Sequence, residues 1–253
     1  MGYTTDLTDT QWELIEEFFV VKKGKNLQQH NKRDLVNAVL YRKKTGCQWR
    51  LLPKDFPPHD TVWSFYRRAV QKGVLGKAMD KMIKKVRVDA GRTPEPSYGL
   101  IDSQSEKTTN KNENRGIDGG KKVKGRKRHI MTDIMGNLLV VKVHAANIHD
   151  TMSGCHVYQA AKNKYPSIKG GCADEGYRGT FVKFVKVKYG ETIDISEKIK
   201  PKQWHIMPKR WRVERTFGWV NWSRILSKDY EIKAVYEENA FMVSHLHTLL
   251  RRY

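Results

Sequence analysis

Three acidic residues stand out in this basic chain by their sequence context. Asp102 and Asp174 each end a short apolar run that is typical of a β-strand, and Glu214 lies in a helical pattern rich in arginine. Hard cations such as Mg²⁺ take oxygen ligands, and Mg²⁺ commonly binds one or two carboxylates together with the phosphates of a substrate. The three carboxylates therefore predict a site where a divalent metal ion meets a phosphate-containing polymer.

The charge balance indicates what kind of partner the chain has. Of its 253 residues, 48 are Lys or Arg and 27 are Asp or Glu, which gives a net charge of +21. Such an excess attracts nucleic acid or an anionic membrane and makes binding dependent on salt. A membrane is the weaker alternative, because no run approaches the ~20 apolar residues of a spanning helix and the N-terminus lacks the pattern of a signal peptide. The composition favours a cytoplasmic protein that binds nucleic acid.

The elements that must position the three acids fall into two predicted domains. The segment 87–97 contains two prolines, one glycine and no apolar periodicity, which indicates a linker. We therefore expect a helical domain at 1–90 and a second domain at 97–253 that contains all three acidic residues.

The first domain has the pattern of a small helical module. Three amphipathic helices are predicted, and the third is capped by Asp60 or Thr61 and carries Arg67 and Arg68. A helix, a proline-rich connector and a basic helix favour a helix-turn-helix-like module that binds DNA. The alternative is an ordinary helical domain, since most small helical domains also show three amphipathic helices.

The second domain has the pattern of a mixed α/β fold. Three adjacent strands are followed by alternating helices and strands, which is the element order of a ribonuclease-H-like mixed sheet flanked by helices. The predicted elements are strands at 98–102, 128–134 and 137–144, a helix at 150–164, a strand at 170–174, a helix at 180–189, a strand at 191–195 and a helix that opens at Pro208.

Several sequence blocks in a fixed order resemble a known family over nearly the whole chain. They include Thr45-Gly-Cys-Gln-Trp-Arg-Leu-Leu-Pro, Ile101-Asp-Ser-Gln-Ser, Ala173-Asp-Glu-Gly-Tyr-Arg-Gly and Arg210-Trp-Arg-Val-Glu-Arg-Thr-Phe. The chain resembles the DDE transposases of bacterial insertion sequences, specifically the insertion-sequence-five-like group. That resemblance implies that Asp102, Asp174 and Glu214 are the catalytic, metal-binding triad, and that Arg210 is the arginine of the family's Tyr-Arg-Glu-Lys spacing.

The resemblance also implies a reaction and its partners. Two Mg²⁺ ions, for which Mn²⁺ can substitute, would serve cleavage at the ends of an insertion sequence and transfer of the freed 3′-hydroxyl to target DNA. The partners would be double-stranded DNA, as terminal inverted repeats and as target, and further copies of the chain in a homodimer or higher oligomer. The protein would be bacterial, cytoplasmic and associated with the nucleoid.

Three positions depart from the family pattern. The tyrosine and the lysine of the Tyr-Arg-Glu-Lys spacing are replaced by Met207 and Asn221, so Arg224 or Lys228 is expected to contact phosphate instead. Glu175 follows the second aspartate and is expected to face solvent, because adjacent strand residues point to opposite faces.

A basic, glycine-rich segment at 103–128 is a second candidate for DNA contact. Its composition suits the phosphate backbone, and the alternative is a solvated loop that orders on binding. The full set of candidate DNA contacts is Arg67, Arg68, Lys121, Lys122, Lys124, Arg126, Lys127, Arg128, Arg210, Arg215, Arg224 and Lys228.

Two other functions remain open from the sequence. One is a DNA-binding protein without catalysis, derived from a domesticated or decayed transposase that still recognises inverted repeats. The other is a ribonuclease-H-like nuclease that stops after hydrolysis. Strand transfer distinguishes the transposase from both of these alternatives.

Overall fold

The computed structural model describes residues 2–20, 30–196 and 210–253. Within these residues the α-helices are α1 (Asp9–Glu13), α2 (Lys32–Thr45), α3 (His59–Gln71), α4 (Val74–Asp89), α5 (Asp150–Lys164), α6 (Thr180–Tyr189), α7 (Arg210–Asn221) and α8 (Ala234–Leu250). The strands are β1 (Gly99–Lys107), β2 (Gly116–Asp118), β3 (Val123–Asp133), β4 (Leu138–Ala145), β5 (Gly170–Asp174) and β6 (Thr192–Ser196).

By packing, the chain divides into two compact units. The first contains the described residues of Met1–Ala90 together with Val220–Ser227 and Asn239–Tyr253, and the second contains those of Gly91–Trp219 together with Lys228–Glu238. The first break, between Ala90 and Gly91, lies within the segment 87–97. The residues after 219 are divided between the two units. The predicted domains, 1–90 and 97–253, instead placed all of these residues in the second domain.

The first unit is all helical. Thr8 caps α1 through a capping box with Gln11, and Gly46 ends α2 in the left-handed conformation at φ 72°. The N-cap of α3 is Pro58 without a side-chain bond, so the expected cap by Asp60 or Thr61 is wrong, and Asp60 lies in the first turn instead. Proline at this position sets the chain direction without needing a side-chain acceptor.

Helix α4 was not expected from the sequence. It follows Gly73, which adopts φ 64°, and its buried face includes Leu75, Met79, Met82 and Val86 at helical spacing. The C-terminal half of α8 completes the apolar core of this unit. No helix among the described residues is long and apolar enough to cross a membrane.

The second unit has a mixed sheet in the ribonuclease-H-like order. The strand order is β2-β3-β1-β5-β6, and β4 also pairs with β3. The pairs β1–β3, β2–β3 and β3–β4 are antiparallel, whereas β1–β5 and β5–β6 are parallel. Helix α5 packs on β3, β4 and α6. The expected fold class is therefore confirmed.

The segment 103–128 is largely strand rather than an open loop. Strand β1 continues to Lys107, and β3 already begins at Val123, so Glu106 pairs with Arg126 in register. Gly125 allows this pairing, because a Cβ at that position would lie 1.8 Å from the carbonyl oxygen of Glu106. The polar residues at 103–107, 116–118 and 123–128 therefore lie on paired strands, and those at 108–115 and 119–122 connect the strands.

Candidate active site

Asp102 and Asp174 lie at the same level on two adjacent parallel strands. Leu100 of β1 is paired with Cys172 of β5, and the aspartates follow two residues later on each strand. Residues two apart on a strand point to the same side, so both carboxylates face the same way. Both line one cavity, which is also lined by Val213 of α7. Two of the three predicted acids are thus brought together.

Backbone amides fix the orientation of both carboxylates. The amide of Ser103 donates to Asp102 Oδ1 at 2.7 Å, and the amide of Gly176 donates to Asp174 Oδ1 at 2.9 Å. Asp174 thereby caps a short 3₁₀ helix, Glu175–Tyr177. Each side chain is half-buried, so an oxygen-seeking cation could reach it from solvent.

Helix α7 brings the backbone of Glu214 next to the same cavity. Val213, Phe217 and Val220 form its buried face, and the Glu214 side chain is exposed. The helix is attached to the β3–β4 turn, because Thr216 Oγ1 donates to the Gly136 carbonyl at 2.8 Å and Arg215 Nη2 donates to that of Met135 at 2.9 Å. Glu214 therefore directly follows Val213, whose side chain lines the cavity.

Two of the three predicted metal ligands are placed so that they could bind one divalent cation. Asp102 and Asp174 supply hard oxygen ligands at one edge of the sheet, which is the chemistry that Mg²⁺ and Mn²⁺ prefer. Within 2–20, 30–196 and 210–253, no group of three or more His, Cys, Asp or Glu side chains is close enough to hold a metal ion. Glu214 does not line the cavity of the two aspartates.

A second acid beside Asp102 belongs to a hydrogen-bonded network that the sequence did not indicate. Ser103 Oγ donates to Asp150 Oδ1 at 3.0 Å, and Lys127 Nζ lies 3.0 Å from the same oxygen. These contacts lower the pKa of Asp150, against the effect of burial, which is the largest influence and raises it. The N-cap of α5 is His149, and Asp150 lies in the first turn of that helix. No short sequence pattern relates it to Ser103, 47 residues earlier.

Tyr177, His129 and the half-buried His144 form a hydrogen-bonded chain, and the bond of His144 to a backbone carbonyl sets the direction of its hydrogen bonds. His144 Nδ1 lies 3.0 Å from the Ala145 carbonyl, so it must carry a proton, and its Nε2 accepts from His129 Nδ1 at 3.3 Å. Tyr177 therefore donates its hydroxyl to His129 Nε2 at 2.7 Å. Burial lowers the pKa of His129 to about 3 and raises that of Tyr177 well above its usual value, with help from the charges of Asp102, Asp150 and Asp174.

Three of the predicted DNA contacts lie in the interior and need correction. Arg126 pairs with Asp229 at 2.6 Å, Arg128 pairs with Glu237 at 2.6 Å, and Lys127 is held by Asp150. Both arginines are 1% exposed. Because each of these three cations is already paired with a carboxylate of the second unit, they are not available for contact with DNA. Composition alone cannot reveal their partners, since those of the arginines lie about a hundred residues later.

The other candidates are at or near the surface. Arg215 lies between the rings of Trp211 and Trp219, 4.6 and 4.4 Å from their centroids, and Lys228 is half-buried. The side chain of Arg210 lies outside the described residues. The exposed members of the set are Arg67, Arg68, Lys121, Lys122, Lys124 and Arg224.

Of the three departures from the family spacing, two are in the described part of the chain. Asn221 is exposed, and Glu175 pairs with Arg178 at 3.0 Å with 41% of its side chain accessible. Glu175 does not line the cavity of the two aspartates. Met207 lies outside the described residues.

Comparison with known proteins identifies the family. Residues 7–79 match a family described as "Putative transposase of IS4/5 family (DUF4096)", and residues 93–249 match the "Transposase DDE domain" family. An "Uncharacterized protein y4sN" of Sinorhizobium fredii is 34% identical over 74 residues, which is 29% of this chain and 59% of that protein. The second match begins at residue 93, within the segment 87–97, and the two matches together cover most of the sequence. The chain therefore belongs to the transposases with a DDE catalytic domain.

Proposed function

We propose that this transposase binds the terminal inverted repeats of an insertion sequence, cuts the DNA at those ends and joins the freed 3′-hydroxyl to target DNA. The observation that carries the proposal is the placement of Asp102 and Asp174 at one level of adjacent parallel strands, on one cavity. Paired carboxylates at such an edge suit phosphodiester chemistry, because two acids can share the task of holding a cation against a phosphate.

Asp102, Asp174 and Glu214 are the residues that would hold the divalent metal, with Mg²⁺ as the expected ion and Mn²⁺ as a substitute. When bound, a pair of such ions supplies a more acidic water and stabilises charge on the attacking and leaving oxygens. The protein orients the carboxylates that would bind these ions. The amides of Ser103 and Gly176 hold the two aspartates in place, so little reorganisation is needed when DNA arrives.

Affinity for DNA is proposed to come from the exposed cations rather than from all basic residues. The net charge of +21 attracts the phosphate backbone over long range. Lys121 and Lys122, in the turn between β2 and β3, and Lys124, on β3, are exposed and can contact phosphate directly. In the first unit, Arg224 has the same accessibility.

Recognition of the repeat is assigned to helix α3. Its buried face packs into the first unit through Val62, Phe65 and Tyr66, while Arg67 and Arg68 on the same helix are exposed. Arginine is the side chain that most often reads guanine in the major groove, through two parallel hydrogen bonds. Joining both ends of one element requires two active sites, so we propose a dimer or higher oligomer in the active complex, working on the DNA of the nucleoid.

The recognition role can be tested in the full-length chain. Arg67→Ala with Arg68→Ala should reduce the preference for the element's own terminal repeat over a scrambled duplex, and the control is Lys77→Ala with Lys84→Ala on α4, which removes the same charge from exposed positions. An unchanged preference in the α3 variant would show that residues other than Arg67 and Arg68 recognise the terminal repeat.

The reaction itself is tested with purified protein, Mg²⁺, a labelled duplex that carries the terminal repeat, and a supercoiled target plasmid. We expect cleavage at the repeat end followed by joined products, because a 3′-hydroxyl held at the site replaces a bimolecular encounter. Nicking without joining would indicate a nuclease. Specific binding with no cleavage in Mg²⁺ or Mn²⁺ would indicate a DNA-binding protein without catalysis.

A further inference from the structure

The segments that carry the two aspartates are joined by a hydrogen bond from Tyr177. This residue ends the short 3₁₀ helix that Asp174 caps, and its hydroxyl donates to His129 Nε2 at 2.7 Å. His129 lies on β3, where it is paired with Ser103, the residue that follows Asp102 on β1. The bond therefore connects the turn after Asp174 to the strand that is paired with β1.

The ring of Tyr177 is packed on three sides. It lies edge-on to the ring of His129, with centroids 5.4 Å apart, and edge-on to that of Phe181 on α6, with centroids 5.7 Å apart. On α5, Gly154 makes room for it, because a Cβ at that position would lie 3.0 Å from Tyr177 Cδ1. Only 1% of Tyr177 is accessible. The side chain is thus fixed by β3, α5 and α6 together.

The hydroxyl of Tyr177 has one role in this environment. Burial lowers the pKa of His129 to about 3, so its ring is neutral near pH 7, and its Nδ1 proton is used by the bond to His144. His129 Nε2 can then only accept, and Tyr177 is its donor. Without that donor a buried acceptor would lack a partner, unless the turn opened and water entered. The hydroxyl therefore stabilises the closed form of the turn.

The orientation of Asp174 depends on the same turn. The Gly176 amide donates to Asp174 Oδ1 at 2.9 Å. Gly176 is exposed, so water competes for this amide, and the bond is kept only while the turn between Asp174 and Tyr177 holds its shape. Metal ligands are commonly supported in this way by residues that do not touch the metal, and loss of such a residue costs about 10- to 100-fold in metal affinity or activity.

We propose that Tyr177 is a positioning residue of the metal site, because its bond to His129 holds the turn that fixes the Asp174 carboxylate relative to Asp102. The inference rests on the proposed function, since it takes both aspartates as metal ligands. Tyr177 is buried, so it acts through Asp174 and not by contact with DNA. Tyr177→Phe removes only the hydroxyl and keeps the packed ring, which makes it the matched change for a test.

The control variant is Tyr158→Phe, which makes the same change at a second buried tyrosine. The ring of Tyr158 also packs edge-on against Phe181, and its hydroxyl donates to Glu191. Any general effect of losing a buried hydroxyl therefore occurs in both variants, whereas an effect on Asp174 should occur only in Tyr177→Phe.

Amide hydrogen exchange of the full-length chain, measured by NMR without DNA or metal, reports on the turn directly. In Tyr177→Phe the Gly176 amide should exchange about tenfold faster than in the wild type, as expected for loss of one hydrogen bond. The Met135 amide donates to Asp133 Oδ1 at 2.8 Å over the same two-residue spacing and should keep its rate. Both amides should be unchanged in Tyr158→Phe.

End cleavage as a function of Mg²⁺ concentration provides a second readout. Tyr177→Phe should raise the Mg²⁺ concentration for half-maximal cleavage by about tenfold or more, and saturating Mg²⁺ should restore most of the rate. A purely structural defect would instead lower the rate by the same factor at every Mg²⁺ concentration. Gly154→Ala, which displaces the ring but keeps the hydroxyl, should change both readouts in the same direction as Tyr177→Phe.

Unchanged exchange at Gly176 in Tyr177→Phe would overturn the inference, and so would equal acceleration of Gly176 and Met135. Cleavage and joining by the wild type, without the exchange contrast between the two variants, would support the proposed function and reject the positioning role. The exchange contrast without any cleavage in Mg²⁺ or Mn²⁺ would support the positioning of Asp174 and reject the transposition reaction.

Discussion

At the scale of single residues, burial divides the arginines into two classes with different roles. Arg126 and Arg128 are inside the second unit, each bound to a carboxylate, whereas Arg67 and Arg68 are exposed on α3. A buried guanidinium needs partners for its fixed fork of donors, and Arg126 has Asp229 and the carbonyls of Glu231 and Ile232. The first class therefore stabilises the fold, and the second class is available to DNA.

Arg126 gives the clearest test of this division. Its Nε donates to Asp229 Oδ2 at 2.6 Å, and Nη1 donates to the Ile232 carbonyl at 3.3 Å. Arg126→Ala would leave Asp229, 1% exposed, as an unpaired buried charge, and should lower the free energy of unfolding by about 3–5 kcal/mol in a urea titration.

The matched control is Lys124→Ala, two residues earlier on β3 and exposed. That change should alter the free energy of unfolding by less than about 0.5 kcal/mol. Equal costs for the two variants would contradict a structural role for Arg126.

His129 makes stability depend on pH in a defined direction. Burial lowers its pKa to about 3, below the ordinary value of 6.5, so the folded state binds fewer protons than the unfolded state between those values. Its stabilising contribution is complete above pH 6.5 and is lost as the pH falls towards 3. His129→Gln should therefore reduce the pH slope of the unfolding free energy between pH 6 and 4 by about 1.4 kcal/mol per pH unit. Identical slopes in the two proteins would show that His129 takes up a proton while folded.

At the scale of elements, the end of α2 depends on a glycine. Gly46 has φ 72°, and a Cβ there would lie 3.2 Å from the backbone of Arg224 and Ile225. Gly46→Ala should lower the free energy of unfolding by about 1–2 kcal/mol because of the left-handed conformation and this close approach.

Gly76 of α4 is the matched control. A Cβ there meets nothing within 4 Å, and the residue lies inside a helix. Gly76→Ala should raise the free energy of unfolding by about 0.4–1 kcal/mol, since alanine restricts the unfolded chain and favours a helix. Thermal unfolding of both variants measures the contrast, and a stabilising Gly46→Ala would contradict the C-cap assignment.

The sequence predicted those elements whose pattern is local. The apolar runs before Asp102 and Asp174 marked two strand ends, so the pair of acids in the site followed from strand pattern and resemblance together. The continuation of β1 to Lys107 was missed, because Gln104, Ser105 and Glu106 lack the apolar alternation of a strand. These residues are part of the strand because their backbone is paired with that of β3.

Features that depend on distant parts of the chain could not be predicted in the same way. Arg126 and its partner Asp229 are 103 positions apart in the sequence, and Ser103 and its partner Asp150 are 47 positions apart. The sharing of α8 between the two units is equally non-local. Such contacts are set by the topology of the sheet and by core packing, which no short window of sequence contains.

At the scale of the whole molecule, the charge of +21 predicts how DNA binding responds to salt. A protein that neutralises six to ten phosphates loses about 10³ to 10⁵ in affinity between 50 and 200 mM salt, because counterions are released on binding. The six exposed candidates and the half-buried Arg215 and Lys228 give eight possible phosphate contacts, which lies within that range. Anisotropy titrations with a non-specific duplex measure the slope, and a loss below tenfold would contradict an interface dominated by phosphate contacts.

The measurement that tests the central claim most directly is end cleavage in Mg²⁺ by four single variants of the full-length chain. Asp102→Asn, Asp174→Asn and Glu214→Gln should each abolish cleavage, because each replaces a charged carboxylate ligand by a neutral amide. DNA affinity should stay within about twofold, because the amide has nearly the same shape as the carboxylate. Glu175→Gln, which changes an acid adjacent to Asp174 that pairs with Arg178, should cleave like the wild type. Wild-type cleavage by any of the first three variants would contradict the assignment of that residue to the metal site.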